Sequence, residues 1–424
     1  MLDIEFIRTH SDAVGDAIQK KGIALELSQL LELDEQRRSL ITKKDQLLAE
    51  RNQLPVEQAK ERGPAIKQQL QEIEPTLATV EQRFHELMLL VPQIPSALSP
   101  VGDESANQVV KTVGTPPTFD FEPKDHIQLG ESLDLIDFDA GRNVSGFRGY
   151  FLKNDAVLLE YGMLQLGLRL MRDRGFSLRV PPTVVRGFAL EGSGHFPFGK
   201  EEIYQIANPG RLEGGEAVKE PHYLAGTAES SLLAEFANRT LQVGELPVRV
   251  AGVSPCYRSE IGSYSKDAKG LYRIHEFMKV EQVLLCEAND EMQEQHLQEL
   301  LGIAEEMLQL LELPYRVLEI ATGDMGAGKV RMFDIETWMP SRNSYGETHS
   351  DSALGDWQSR RLGIKYVDVE GTKRHVYALN CTVIASPRIL IPLLENHQQA
   401  DGSIMVPKAL QEFVGKEMIR PLVV

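Results

Sequence analysis

The distribution of apolar residues along the chain changes character near residue 91. Before it, Leu33, Leu40, Leu47 and Leu54 recur at every seventh position in a stretch rich in Glu, Gln, Lys and Arg. A second run, Ile66, Leu70, Ile73, Leu77, Val80, Phe84, Leu87 and Val91, alternates steps of four and three. That spacing keeps one stripe turned toward a partner helix. Pro55, Gly63 and Pro64 separate the runs and interrupt a continuous helix. The pattern predicts an antiparallel helical hairpin over about 27–91, its tip near 55–64, roughly 30 to 40 Å long at 1.5 Å of rise per residue.

The stretch Val91-Pro92-Gln93-Ile94-Pro95-Ser96 ends the helix and reads as a linker, because its prolines remove donors and fix φ. Beyond it, short apolar runs punctuated by Gly and Pro alternate with helical patterns. One passes through Val157, Tyr161, Leu164, Leu168 and Met171 and closes at Gly175; another runs from about Asn289 to Leu313 and stops at Pro314. The expected fold class is α+β, a coiled-coil hairpin followed by a domain built on a largely antiparallel sheet flanked by helices. A chain of 424 residues exceeds one ordinary core. The expected domains are 1–105, carrying the arm, and 106–424.

Composition narrows the class. Hydrophobic residues at 42% and charged ones at 25% suit a packed core. Acids at the start, Met1-Leu2-Asp3-Ile4-Glu5, and the lack of an apolar run near the roughly 20 residues that span a bilayer predict a cytoplasmic protein with no membrane partner. Cys256, Cys286 and Cys381 are far apart, without C-x-x-C or Cys/His clustering, so buried thiols are expected and neither disulfides nor zinc. A net charge of −17 argues against coating nucleic acid by bulk electrostatics and makes any RNA contact local. One local cationic excess exists: Lys43, Lys44, Arg51, Lys60, Arg62 and Lys67 near the hairpin tip, against Asp45, Glu50, Glu57 and Glu61. By itself it reads either as a solvated coiled-coil surface or as a phosphate-contacting arm.

The segment most suggestive of chemistry is Val253 to Glu260, a loop from Ile261 to Gly270, and Leu271 to Glu281. Read as a β-hairpin, it places Arg258 and Glu260 together, and Arg273, His275, Phe277, Lys279 and Glu281 together, with Tyr272, Ile274, Met278 and Val280 turned to the core. So ionic a face fits the floor of a cleft or a solvated sheet with cross-strand ion pairs.

The wording of this hairpin, Tyr257-Arg258-Ser259-Glu260 and Tyr272-Arg273-Ile274-His275-Glu276-Phe277 through Lys279-Val280-Glu281, resembles motif 2 of class II aminoacyl-tRNA synthetases, and within them the bacterial-type seryl-tRNA synthetase family. Thr227-Ala228-Glu229, Glu347-Thr348-His349-Ser350 and Asp356 to Arg361 match the same family in order. Leu379-Asn380-Cys381-Thr382 leading to Ser386-Pro387-Arg388 resembles motif 3 (about 379–396), and Gly175 to Pro181 resembles the dimer-forming motif 1 (about 168–182); motif 2 spans about 250–281. Two departures stand out. After Glu347 the run His349-Ser350-Asp351-Ser352-Ala353-Leu354 stands where many members have Ser-Asn-Cys-type residues, and Pro387 replaces the glycine usual before the motif 3 arginine. Ser386 as cap and Pro387 at the first helical position would still start a helix with Arg388 in its first turn.

The resemblance implies a homodimeric ligase that activates L-serine with ATP and Mg²⁺ and charges tRNA(Ser), with tRNA(Sec) a second acceptor. It assigns Arg258 and Arg388 to catalysis; Thr227, Glu229, Arg258, Glu281, Asn380 and Thr382 to serine; and Arg258, Ser259, Glu260, Arg273, Ile274, Phe277, Glu347, Thr348, His349, Ser350 and Arg388 to ATP. Phe277 would stack on adenine with Arg388 on the other side, Glu260 would accept from the adenine amino group, and Glu347 and Ser350 would hold Mg²⁺. The six arm cations would grip the tRNA's long variable arm. Taken singly, Thr227 reads as a helix cap and Glu229 as a first-turn carboxylate, Phe277 as ordinary core, Glu281 as an ion-pair partner, and Asn380 and Thr382 as groups that satisfy backbone at a strand end. Two other readings remain open: a paralogue activating a different small amino acid, and a non-catalytic tRNA-binding coiled-coil protein.

Overall fold

The computed structural model describes residues 1–208, 210–211, 214–216, 218–261 and 270–421. Two compact units divide it, Met1–Ile94 and Pro95–Val424. The expected boundary at 105/106 lies further along, and the reason is backbone pairing. Ser96 donates its N–H to Val330, and the carbonyls of Pro100 and Gly102 accept from Thr322 and Gly323, so these residues belong to the second unit.

In the first unit, α1 (Ile4–Thr9) and α2 (Ser11–Lys20) precede the long pair α3 (Leu27–Gln53) and α4 (Val56–Leu90). Every residue of the second apolar run except Phe84 is buried. Leu47 packs with Ile66, Leu70 and Ile73, which fixes the two helices antiparallel. The turn is tighter than the sequence suggests. It consists of Leu54 and Pro55, whereas Gly63 and Pro64 lie inside α4. A proline in a helix interior costs about 3 kcal/mol. Burying the side chains of Ile66, Leu70 and Ile73 returns roughly 1.5–3 kcal/mol each, so the helix continues through it. At 35 residues, α4 is about 50 Å long.

In the second unit, eight strands of the described residues form one sheet. They are β1 (Gln108–Val113), β2 (Ser177–Arg179), β3 (Val248–Tyr257), β4 (Glu276–Cys286), β5 (Tyr315–Glu319), β6 (Arg331–Met339), β7 (Ser344–Ala353) and β8 (Tyr377–Ser386). Their spatial order is β1-β5-β6-β7-β8-β4-β3-β2, antiparallel except for the β2/β3 pair. Central β4 is buried on both faces. Val280 and Leu284 join a cluster with the helices α6 (Asp155–Asp173) and α9 (Asp290–Leu310), introduced after α5 (His126–Ser132). Val283 and Leu285 point the other way, into a second cluster that includes Leu232 and Leu233 of α8 (Glu229–Ala234), which follows α7 (Gly187–Ser193). Glu281 shares that second face.

The helix α9 starts at the N-cap Asn289, whose side chain accepts from the Met292 N–H. On α6 the buried side runs through Leu159, Met163, Leu164, Leu170 and Met171, and not through Tyr161 as the spacing predicts. Tyr161 is 56% exposed and Leu158 43% exposed. This helix is apolar on two faces, and the fold covers one. All three cysteines are buried and free. Among the described residues no helix is long and apolar enough to cross a membrane.

Candidate active site

The centre of the sheet positions the site. Register pairs Thr382 of β8 with Glu281 of β4, and Glu281 with Gly252 of β3. Gly252 lets α8 lie close to the sheet, since a Cβ there would stand 3.1 Å from Leu232. The start of α8 therefore brings Glu229 over the strands. The result is a cleft of about 200 Å³.

At its inner end buried polar side chains bond one another. Thr227 Oγ accepts from Lys279 Nζ at 2.6 Å. Lys279 also forms an ion pair with Glu281, both side chains being almost wholly buried. Thr382 Oγ donates to Glu281 at 3.4 Å. Burial pushes the Glu281 carboxyl up, and the Lys279 ammonium against it pulls it back. Glu229 accepts from Gln358 Nε2 at 2.6 Å and from Asn380 Nδ2 at 3.0 Å, so its carboxylate is held in one orientation. His195 closes this end, bonded to the Ser193 hydroxyl at 2.9 Å, and burial lowers its pKa.

Toward the mouth the cations are guanidinium groups, Arg258 and Arg388, set among Glu260 and Glu347. Arg258 lies 5.4 Å from the Phe277 ring and donates to the Gly226 carbonyl. Arg388 stands over the Tyr272 ring at 4.5 Å, donates Nε–H to the Tyr272 carbonyl at 3.2 Å, and approaches the Glu347 carboxylate at 3.6 Å. Arg388 does not start the helix that follows. Ser386 stays paired with Met278 in the sheet, and α11 (Leu390–Asn396, after α10 at Trp357–Leu362) is capped by Ile389, so Arg388 sits in the turn before it.

The cleft brings together Thr227, Glu229, Arg258, Glu260, Ile274, Phe277, Glu281, Glu347, Thr348, His349, Ser350, Asn380, Thr382 and Arg388. Ser259 and Arg273 do not line it. Ser259 donates its hydroxyl to the Glu201 carbonyl, and Arg273 pairs with Glu260 at 3.0 Å. The alternation expected from Leu271 to Glu281 holds only from Glu276, where β4 begins. Before it the backbone is irregular and belongs to no strand, so Tyr272 and Ile274, buried as expected, also border the cleft, and His275 lines a separate hollow with Tyr150 and Glu160. Most of the expected loop Ile261–Gly270 falls on residues 262–269, outside the described residues. Sequence reasoning also missed His195, Lys279 and Lys329 as lining residues. Lys279 stood on the named face, and its signal was a lysine flanked at two-residue spacing by Phe277 and Glu281.

His349 is a structural member of the cleft wall. Its Nε2–H donates to the Val383 carbonyl at 3.1 Å while Nδ1 accepts from Thr348, and burial pushes its pKa down to about 4. Beside Glu347 and Ser350 lies Asp334, which the sequence did not single out. One of its buried oxygens has no hydrogen-bond partner among the described residues, and burial together with the Glu347 charge raises its pKa well above the usual range. This oxygen-rich group fits a hard divalent cation.

On the arm, Arg62 is paired with Glu50 at 2.6 Å and Lys44 approaches Glu74 at 3.7 Å. Lys43, Arg51, Lys60 and Lys67 are exposed.

Comparison with known proteins agrees with this geometry. Residues 1–95 match the family model "Seryl-tRNA synthetase N-terminal domain", and residues 213–397 match "tRNA synthetase class II core domain (G, H, P, S and T)". The chain is 44% identical to a serine–tRNA ligase of Deinococcus radiodurans over 98% of each chain, and 40% identical to one of Rubrobacter xylanophilus over 99% of each. Among solved structures, seryl-tRNA synthetase from Pyrococcus horikoshii complexed with ATP superposes with a TM-score of 0.88 at 33% identity over the whole of both chains. The cytoplasmic enzyme of Naegleria fowleri in complex with AMP gives 0.87 at 26% identity, covering 100% of this chain and 99% of that one.

Proposed function

The chain belongs to the seryl-tRNA synthetase family, class II enzymes that join L-serine to tRNA using ATP, and from that premise we propose how its own residues divide the work. Its activity is that of a serine–tRNA ligase. The first step sets one anion against another: the serine carboxylate attacks the α-phosphorus of ATP, the bond to the β-phosphate oxygen breaks, and seryl-adenylate and pyrophosphate result. In the second, a hydroxyl of the tRNA 3′-terminal ribose attacks the seryl carbonyl and AMP leaves. Neither step needs a protein nucleophile, so catalysis is charge neutralisation and positioning.

The observation that carries the reading is the lining of the cleft: a buried inner end where Thr227, Lys279, Glu281 and Thr382 bond one another and Asn380 bonds Glu229, and an outer part that presents the guanidinium groups of Arg258 and Arg388. Thr227, Glu229, Glu281, Asn380 and Thr382 read the serine hydroxyl and ammonium. Arg258, between Phe277 and the Gly226 carbonyl, neutralises the serine carboxylate and the α-phosphate. Arg388 serves the outer phosphates and covers the adenine opposite Phe277, with Ile274 beside it; Glu260 accepts from the adenine amino group, and Arg273, outside the cleft, pairs with Glu260. Mg²⁺ fits Glu347 and Ser350, with Asp334 behind them, and when bound supplies charge neutralisation to the phosphates. A pocket that hydrogen-bonds a hydroxyl rejects the analogue lacking it by orders of magnitude, so alanine is excluded. The retained Thr227, Glu281 and Thr382 weigh against the paralogue, and the intact Arg258, Glu347 and Arg388 against the non-catalytic protein.

The exposed cations of the arm take the tRNA backbone, of tRNA(Ser) and by the same resemblance of tRNA(Sec). The uncovered apolar side of α6 is the face for a second copy, making a homodimer. The site of action is the cytoplasm, where tRNA is charged for translation. Replacing Arg258 with alanine tests the assignment. Serine-dependent ATP–pyrophosphate exchange should fall by at least about 10²-fold, as when an oriented transition-state donor is removed; near-normal exchange would remove Arg258 from the mechanism.

A further inference from the structure

Glu395, on α11, is wholly buried, and its carboxylate collects four donors. His126 gives its backbone N–H at 3.0 Å and its Nδ1–H at 2.9 Å. Ser341 gives its backbone N–H at 3.0 Å and its hydroxyl at 2.9 Å. The other ring nitrogen of His126, Nε2, accepts the backbone N–H of Leu271 at 3.3 Å, which fixes the neutral tautomer with its proton on Nδ1. The foot of the hairpin is fitted to this ring: at Gly270, φ +78°, a Cβ would lie 2.1 Å from Nε2.

Tyr272, which follows Leu271, supports Arg388. Its carbonyl accepts the Arg388 Nε–H and its ring lies beneath the guanidinium. Its hydroxyl donates at 3.4 Å to the Glu347 carbonyl, which also accepts from Arg388 Nη1 at 3.3 Å. The Ser341 branch reaches the same ring, because the neighbouring Arg342 guanidinium stands 4.1 Å from it. Two arms from one buried carboxylate thus converge on Tyr272.

We infer that His126, anchored by Glu395, is a positioning residue for ATP: it holds Leu271 and Tyr272 so that Arg388 faces the nucleotide phosphates. This rests on the assignment of Arg388 to ATP. His126 touches no substrate, so its loss should act on ATP and leave serine alone.

The test is steady-state exchange kinetics of H126N, H126Q and R388A beside the parent, with melting curves. Asparagine keeps a donor near Glu395 and loses the acceptor for Leu271; glutamine offers a carbonyl oxygen near the position of Nε2. H126N should raise KM for ATP about fivefold, what one ordinary hydrogen bond supplies, with KM for serine within about twofold. H126Q should recover most of that loss. An unchanged KM for ATP in H126N, or equal rises for ATP and serine that follow melting temperature, would overturn the inference. If R388A leaves KM for ATP unchanged, the premise about Arg388 fails; if R388A raises it and H126N does not, only the positioning link fails. Should the His126 variants not fold, S341A loosens the other arm. A rise of about twofold for ATP alone supports the link, and no change contradicts it.

Discussion

A histidine with no water around it must choose a charge state that its neighbours can satisfy. His349 is 1% exposed, gives one ring nitrogen to the Val383 carbonyl and takes the Thr348 hydroxyl on the other, so both nitrogens are used while the ring is neutral. Its pKa is pushed from 6.5 down to about 4. Above 6.5 both folded and unfolded chains hold it neutral and it adds no pH dependence. As pH falls from 6.5 toward 4, the unfolded chain takes a proton that the folded chain refuses, and stability is lost through that window. At pH 5 the loss is about 2 kcal/mol. H349Q should therefore show a shallower fall in melting temperature between pH 7 and 5 than the parent; parallel curves would refute the assignment. The same scale shows what a sequence conceals. Thr227, Glu281 and Thr382 are recognisable because their order along the chain is distinctive. Strand alternation assigns Tyr272 to the core, where it lies, but not to the cleft it also borders, because the backbone before Glu276 belongs to no strand; Asp334 stands in an ordinary strand pattern until its neighbours Glu347 and Ser350 are placed beside it.

At the scale of elements, the helical hairpin was legible because its signal is long: seven of eight residues in the second stripe are buried. Its tip was misplaced because local chemistry at Gly63-Pro64 argues for a break and only the packing of Ile66, Leu70 and Ile73 on the facing helix decides otherwise. The charge pattern near the tip resolves in a similar way, since Arg62 and Lys44 have acidic neighbours. The remaining cations, Lys43, Arg51, Lys60 and Lys67, are the ones available to phosphate. Changing all four to glutamate should raise KM for tRNA at least about tenfold and make tRNA binding less salt-dependent, while serine-dependent exchange stays within about twofold. An unchanged KM for tRNA would return the arm to a solvated coiled-coil surface.

For the whole molecule, the α+β class and the order of the motifs were readable. The spatial order of the strands was not, because a sheet in which β4 lies beside β8 is set by contacts between distant parts of the chain. The two-faced character of α6 was hidden for a related reason, since apolar residues on both sides blur a single helical stripe. Leu158 and Tyr161 together lie on its open face. The native protein should sediment at twice the 47.4 kDa chain mass, and the double variant Leu158→Asp, Tyr161→Asp at the single mass. A double variant that still sediments as a dimer would place the interface elsewhere.

The central claim is that this cleft activates serine and no other amino acid. ATP–pyrophosphate exchange, run with each of the twenty amino acids singly and without tRNA, tests it most directly. Exchange with serine, and none above background with alanine or with residues too large for the cleft, is the predicted result. Exchange led by another amino acid, or none at all from folded protein, would contradict it.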